Sequence, residues 1–284
     1  MIFDEKPLQD LIIEAIAAGD LQLPVFSSVA LRLQQALHNK DIGIAEIEAM
    51  IVEDQALASQ ILRMANTAFF KGLQKITTIR KAILRLGIQQ VANLAMAVSQ
   101  QTTYSTNNKI LNQYMDKLWQ HAFASALGSK WVAERSGYRS EADAAFLAGL
   151  LHNIGQLLIL KVLEAVCTKH TIDLNLPDAF IVEMLNSDMH TEQGYLLMKQ
   201  WNLPEEYCVV ARDHHQEFCD KHNILLAIAR LADQVCDKTG IGLHCDPNSV
   251  LATSLEAQFL ALTEVQLAEL EILLEDSINI QIAP

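Results

Sequence analysis

Helix breakers are scarce in this chain, with only 6 Pro and 11 Gly in 284 residues. That is too few turn formers for a sandwich or barrel of short strands, and it favours long helices. Aromatic residues make up 6% against 51% hydrophobic overall, so aliphatic side chains must build the core. No apolar run reaches the roughly 20 residues needed to cross a bilayer. The opening MIFDEKPLQD lacks the basic-then-apolar order of a signal peptide. No membrane association is therefore expected. The five cysteines (Cys167, Cys208, Cys219, Cys236 and Cys245) show no C-x-x-C spacing. This suits buried thiols and a reducing cytoplasm. Neither G-x-x-x-x-G-K-[ST] nor G-x-S-x-G occurs, which removes a P-loop and a serine-hydrolase elbow.

Acid is also missing from one long stretch. Between Asp54 and Asp116 there is none, against seven bases: Arg63, Lys71, Lys75, Arg80, Lys81, Arg85 and Lys109. Residues 1–142 balance at +1 and residues 143–284 at −14, for a total of −13. A net charge of that sign argues against a nucleic-acid partner. The basic stretch is expected to face the acidic half of the same molecule, with an anionic partner as the alternative. Arg80, Lys81 and Arg85 fall at the start of a short helix. They are a candidate anion site for a phosphate or nucleotide, unless they form a solvated face.

What remains is helical periodicity, with no convincing strand. Helices are expected over about 4–18, from Pro24 to about His38, then 44–53, 54–66, 78–87 and 88–101. Asp54 and Thr77 or Thr78 serve as caps, and Asn66 closes a turn. TTYSTNN (102–108) is the most polar stretch and marks a boundary. A long helix should follow over 109–135. Ser140 with Asp143 reads as a capping box opening a helix that runs through AFLAGLLHN to Gly155. Further helices are expected at 156–168, 178–186, 190–201, 204–215, 222–239 and in the tail, where Thr263 and Gln266 form another capping box. Trp119, Trp131 and Trp201 are expected in the core. A chain of this length can hold two packed subdomains.

Five of the nine histidines stand at or near helix ends: His121, His152, His190, His214 and His215. With Asp233 they supply neutral imidazole nitrogens and one charge-compensating carboxylate from several helices, the way bundles assemble metal sites. The plainer alternatives are a surface His pair and a buried, hydrogen-bonded His cluster without metal.

The order W-x-H, AFLAGLLHNIG, DMH-x-x-x-G, W-x-L-P, HH and A-D resembles the HD superfamily. LPVFSSVALRLQQAL (23–37), IEAMIVEDQALASQILRMANTAFF (47–70) and ITTIRKAILRLG (76–87) narrow the resemblance to the HDOD domain, a divergent relative found in bacterial signalling proteins. It covers about Leu23 to His215. It implies an all-α fold: a multi-helix HD-domain-like core (107–245), an N-terminal helical subdomain (1–106) and a C-terminal helical extension (246–284). It also implies lost hydrolase activity and a role in signal transduction through a protein partner. Residue by residue, His121, His152, His190, His214, His215 and Asp233 fall on HD-type metal positions. Asn153 falls where the catalytic pattern has Asp, and Gln55 stands where the family usually has Pro.

An amide has one neutral oxygen and an NH2 that repels cations, whereas a carboxylate can bridge two ions. Asn153 is thus expected to join at most one metal, as a weak fourth ligand beside His121, His152 and Asp233. His190, His214 and His215 would form a neighbouring triad. The ion would be one divalent transition metal (Zn, Fe, Ni or Mn), or none. The expected function is a silenced or non-catalytic signalling protein that binds a protein or a small anion. A metal-dependent phosphohydrolase acting on a nucleotide or phosphodiester is the alternative.

Overall fold

The computed structural model describes residues 2–3, 6–18, 27–37, 41–67, 69–70, 72, 74–172, 175–216 and 222–278. Gly19, Pro24, His38, Lys71 and Cys219 lie outside the described residues. Two pairs of residues, Ile2–Phe3 and Lys6–Pro7, form a minimal antiparallel ladder that periodicity could not show. All other regular structure among the described residues is helical. The opening helix α1 is Leu8–Ala18 and starts later than expected because the ladder takes the residues before it.

The N-terminal half continues with α2 (Ser28–Ala36), α3 (Ile44–Val52), α4 (Gln55–Ala65), α5 (Ile79–Leu86) and α6 (Ile88–Thr103). Asp54 caps α4 by accepting from the Leu57 amide, so Gln55 begins the helix without the family's proline. Thr78 caps α5. Gly87 at φ +87° turns the chain by 119° into α6, a conformation that L side chains rarely adopt. Arg80 pairs with Glu48 of α3, 2.8 Å away, and Lys81 reaches back to Thr77. Arg80 therefore finds its acid inside its own half of the chain, not in the acidic half.

Asn66 clamps the connection between α4 and α5. Its amide donates to the carbonyls of Leu62 (2.7 Å) and Ile76 (2.8 Å) and accepts from the Ile76 amide at 2.8 Å. Asn66→Ala leaves these half-buried groups unpaired. It is expected to destabilise the protein by about 1–3 kcal/mol, read as a lower urea midpoint with unchanged slope. An unchanged midpoint would show the clamp to be idle.

The C-terminal half begins with α7 (Lys109–Arg135), whose cap, Asn108, accepts from the Ile110 and Leu111 amides. Then come α8 (Ala142–Leu151), α9 (Ile154–Lys169), α10 (Asp178–Leu185), α11 (Met189–Gln200), α12 (Glu205–Asp213) and α13 (Ile224–Thr239). The chain closes with α14 (Leu255–Phe259) and α15 (Glu264–Ile278). The Thr263–Gln266 capping box forms as expected. The Ser140–Asp143 box does not. A 3-10 turn, Arg139–Glu141, precedes α8, and Asp143 instead binds Lys130 of α7 at 2.6 Å. A charged, half-buried amine competes better for that carboxylate than a backbone amide does.

α8 does not run on to Gly155 either. It ends at Leu151, and His152 and Asn153 form the joint before α9. The stretch Arg139–Lys169 is long and apolar enough for a membrane span by length and composition, but 94% of its most apolar window is buried inside the protein. It is the central layer of the core, wrapped by α7, α11 and α13. A single hydrophobic cluster runs through both halves. α1 packs on α9 and α6 on α8, and a polar chain from Gln34 through Asn93 to the Asp143 carbonyl ties α2 and α6 to α8. Trp131 is buried, Trp119 and Trp201 are half-buried, and Cys245 is exposed, contrary to the expectation for the thiols.

Candidate metal centre

Four of the histidines are oriented in the same way. At a helix end the last carbonyls lack helical partners. His152 and His214 follow α8 and α12, and each donates its Nδ1–H to the carbonyl three residues earlier, Gly149 at 2.7 Å and Ala211 at 2.9 Å. His190, in the first turn of α11, does the same to Ser187 at 2.7 Å. His121 lies in mid-helix, where its own carbonyls are taken, and uses the Ile241 carbonyl at 2.9 Å. Gly242, at φ +125°, makes that approach possible. A Cβ there would stand 2.9 Å from His121 Nδ1.

With Nδ1 protonated in all four rings, every Nε2 carries a lone pair, and these lone pairs converge. His121 Nε2 is 3.2 Å from His152 Nε2 and 3.1 Å from Asp233 Oδ1. His152 Nε2 is 3.5 Å from the same oxygen. His190 Nε2 is 3.3 Å from His214 Nε2, which is 2.9 Å from Asn153 Oδ1. Lone pairs at such distances repel unless a cation lies among them. Ligand atoms about 2.1 Å from a common ion stand about 3.0–3.4 Å apart, so the donor set fits a metal. The side chains fall into two triads, His121–His152–Asp233, which is buried, and His190–His214–His215, of which His215 is exposed.

The triads differ in charge. Burial disfavours a charged His121, but the hydrogen bond to Asp233 outweighs it and raises the imidazole above its ordinary value. Burial works against a charged Asp233 too, yet hydrogen bonding and charge attraction from His121 and His152, once an added proton sits at Nε2, hold its carboxyl well below the usual range. This triad thus has a place for one added positive charge, a proton or a metal. In the other triad no anion compensates. Burial and the neighbouring His215 push His190 down to about 4. Burial, with His152 and His215 nearby, drives His214 well below its ordinary value, and burial also lowers His215. Those imidazoles are neutral and offer lone pairs.

Asn153 sits between the triads. Its NH2 faces His121 Nε2 at 3.2 Å and its oxygen faces His214. The expected fourth ligand of the His121 triad therefore turns the other way. Asp233, the carboxylate within hydrogen-bond distance of a triad imidazole among the described residues, is on the His121 side, so the NH2 faces that side and the oxygen faces the all-His group.

All seven sequence candidates for the centre come together, whereas Arg80, Lys81 and Arg85 are on α5 in the N-terminal half. Sequence reasoning missed Asp237, Gln156, Asn186 and His244, which line the cleft beside the triads. Asp237 lies one helical turn after Asp233 on α13, a spacing that could have revealed it. Burial and Asp233 push its carboxyl up to about 6.

The helical core brings two His-rich triads together around the joint between α8 and α9. A model of the HDOD domain matches residues 23–217, and the chain belongs to that family. An uncharacterized protein of Treponema pallidum (strain Nichols) is 26% identical over 196 residues, which is 68% of this chain and 37% of that protein. The chain thus spans little more than a third of that relative's length. An HDOD domain protein of unknown function from Geobacter sulfurreducens superposes with a TM-score of 0.76 at 24% identity, covering 95% of this chain and 96% of its own. A provisionally named metal-dependent phosphohydrolase from Shewanella amazonensis gives 0.75 at 18% identity, covering 95% and 98%. A provisionally named signal transduction protein from Marinobacter aquaeolei gives 0.69 at 22%, covering 96% and 64%. These likenesses show the fold.

Proposed function

We propose that this protein is a non-catalytic HDOD signalling module. It holds one divalent transition ion (Zn, Fe, Ni or Mn) at His121, His152 and Asp233, and it acts in the cytoplasm on a protein partner. The observation that carries the reading is Asn153, a neutral amide standing between two triads that only an anion can join. When bound, the ion would supply fixed positive charge that ties α7 and α13 to the joint after α8. Activating water for hydrolysis between two metals requires a shared anionic bridge, and among the described residues no carboxylate is grouped with both triads. The cleft offers no Lys or Arg among its lining residues to hold a phosphate. Leu84 is 68% exposed and is flanked on its own helix by Arg80, Lys81 and Arg85, which suits an acidic protein surface on the N-terminal side.

The test is an assay of the protein loaded in turn with Zn, Fe, Ni and Mn on bis(p-nitrophenyl) phosphate. Turnover is expected to match that of His152→Ala. Robust metal-dependent hydrolysis that vanishes in His152→Ala would establish the phosphohydrolase reading instead.

A further inference from the structure

The cleft beside the triads encloses about 370 Å³, within the range of small-molecule sites. Leu118 and Leu243 give it apolar walls, and its polar lining is rich in acceptors. Asp237 belongs to neither triad, and its carboxylate accepts no hydrogen bond from a described residue. Gln156 is only 5% exposed. Its NH2 is committed to the Leu185 carbonyl and to Asn186 Oδ1, each at 3.3 Å. No described donor reaches its carbonyl oxygen. An acceptor in a cleft wall that no described protein donor reaches is open to a donor group of a ligand.

Charge points the same way. Asp233 belongs to the metal triad, which leaves the Asp237 carboxylate as the charged group of the cleft wall outside both triads. A phosphate entering the cleft would lie against that carboxylate. A group rich in N–H donors and positively charged would satisfy both Asp237 and the Gln156 oxygen. Its hydrocarbon part would cover Leu118 and Leu243.

We infer that the cleft takes a small organic cation, an amine or guanidinium on a short apolar stem. The inference rests on reading the cleft as a ligand-binding, non-catalytic site, and it names the class of signal that site receives.

Calorimetric titration of the metal-loaded protein with agmatine tests it, with AMP and inorganic phosphate as comparisons. Agmatine is expected to bind saturably with a Kd below about 1 mM. Asp237→Asn should weaken it at least about tenfold through loss of the charged hydrogen bond, and Asp237→Glu should recover part of the affinity. Gln156→Leu should weaken it several-fold, which keeps the test alive if an Asp237 variant fails to fold. Asp237 lies outside both triads, so metal content should stay at the wild-type level. No agmatine binding up to about 10 mM, equal binding to Asp237→Asn, or tighter binding of AMP or phosphate would overturn the inference. Failure of the non-catalytic reading would appear separately, as phosphodiester turnover or a second bound ion.

Discussion

Replacing Asn153 by Asp is expected to give the protein a second metal ion. The substitution removes the NH2 that faces His121 at 3.2 Å and puts a negative oxygen in its place, while the other oxygen keeps its position 2.9 Å from His214. Two unlike unit charges about 4 Å apart interact by about 4 kcal/mol at an effective dielectric near 20. The new carboxylate must also be desolvated, which consumes part of that gain. The all-His group, now neutral, should then bind its ion about 100-fold more tightly or better. Elemental mass spectrometry should show the metal content rising from about one equivalent to about two, with coupled ions visible by electron paramagnetic resonance for Mn. Hydrolysis of bis(p-nitrophenyl) phosphate is not expected to follow, because the cleft still lacks Lys and Arg and still carries Asp237. A variant that gains both the ion and turnover would mean that one residue alone silences a hydrolase. A variant that gains no ion would mean that the amide is not what limits the site.

Gly155→Ala should be the most damaging single methyl group in the molecule. A Cβ there would stand 1.9 Å from the His190 carbonyl oxygen and 2.9 Å from the Gly194 amide nitrogen. Both obstacles are backbone, so α9 and α11 must move apart. Overpacking usually costs about 1–3 kcal/mol, and a backbone collision of this depth belongs at or above the top of that range. Because His190 is carried by the displaced segment, the all-His group should come apart as well. The expected result is a thermal midpoint several degrees lower, with little effect on metal held at His121, His152 and Asp233. Full stability in Gly155→Ala would show that the two helices do not pack this closely. Gly149 plays the matching part on the other side of the joint, where a Cβ would lie 2.5 Å from the Ser125 carbonyl oxygen of α7. The two glycines flank His152 and Asn153 and press the joint between neighbouring helices.

This pair of glycines marks the limit of what the sequence could disclose. Periodicity and caps were enough to locate α3 to α7 and the Thr263 box, because those features depend on neighbours within a few residues. Gly155 read as a helix end, because a glycine needed for close packing and one needed for a turn look alike in one dimension. The Ser140 box failed for a related reason: its partner Asp143 is claimed by Lys130, a residue on another helix. The identities of His121, His152, His190, His214, His215 and Asp233 were legible from their order and from the family resemblance. Their division into a charged triad and a neutral one was not, since it depends on which rings converge. Asp237 and Gln156 were passed over because nothing along the chain distinguishes an acceptor without a partner from an ordinary polar residue.

The most direct measurement of the central claim is the metal content of the wild-type protein after expression in metal-supplemented medium, joined to anomalous diffraction from its crystals. The account predicts about one equivalent of a transition ion, bound by His121, His152 and Asp233. Two fully occupied ions, both coordinated by Asn153, would contradict it.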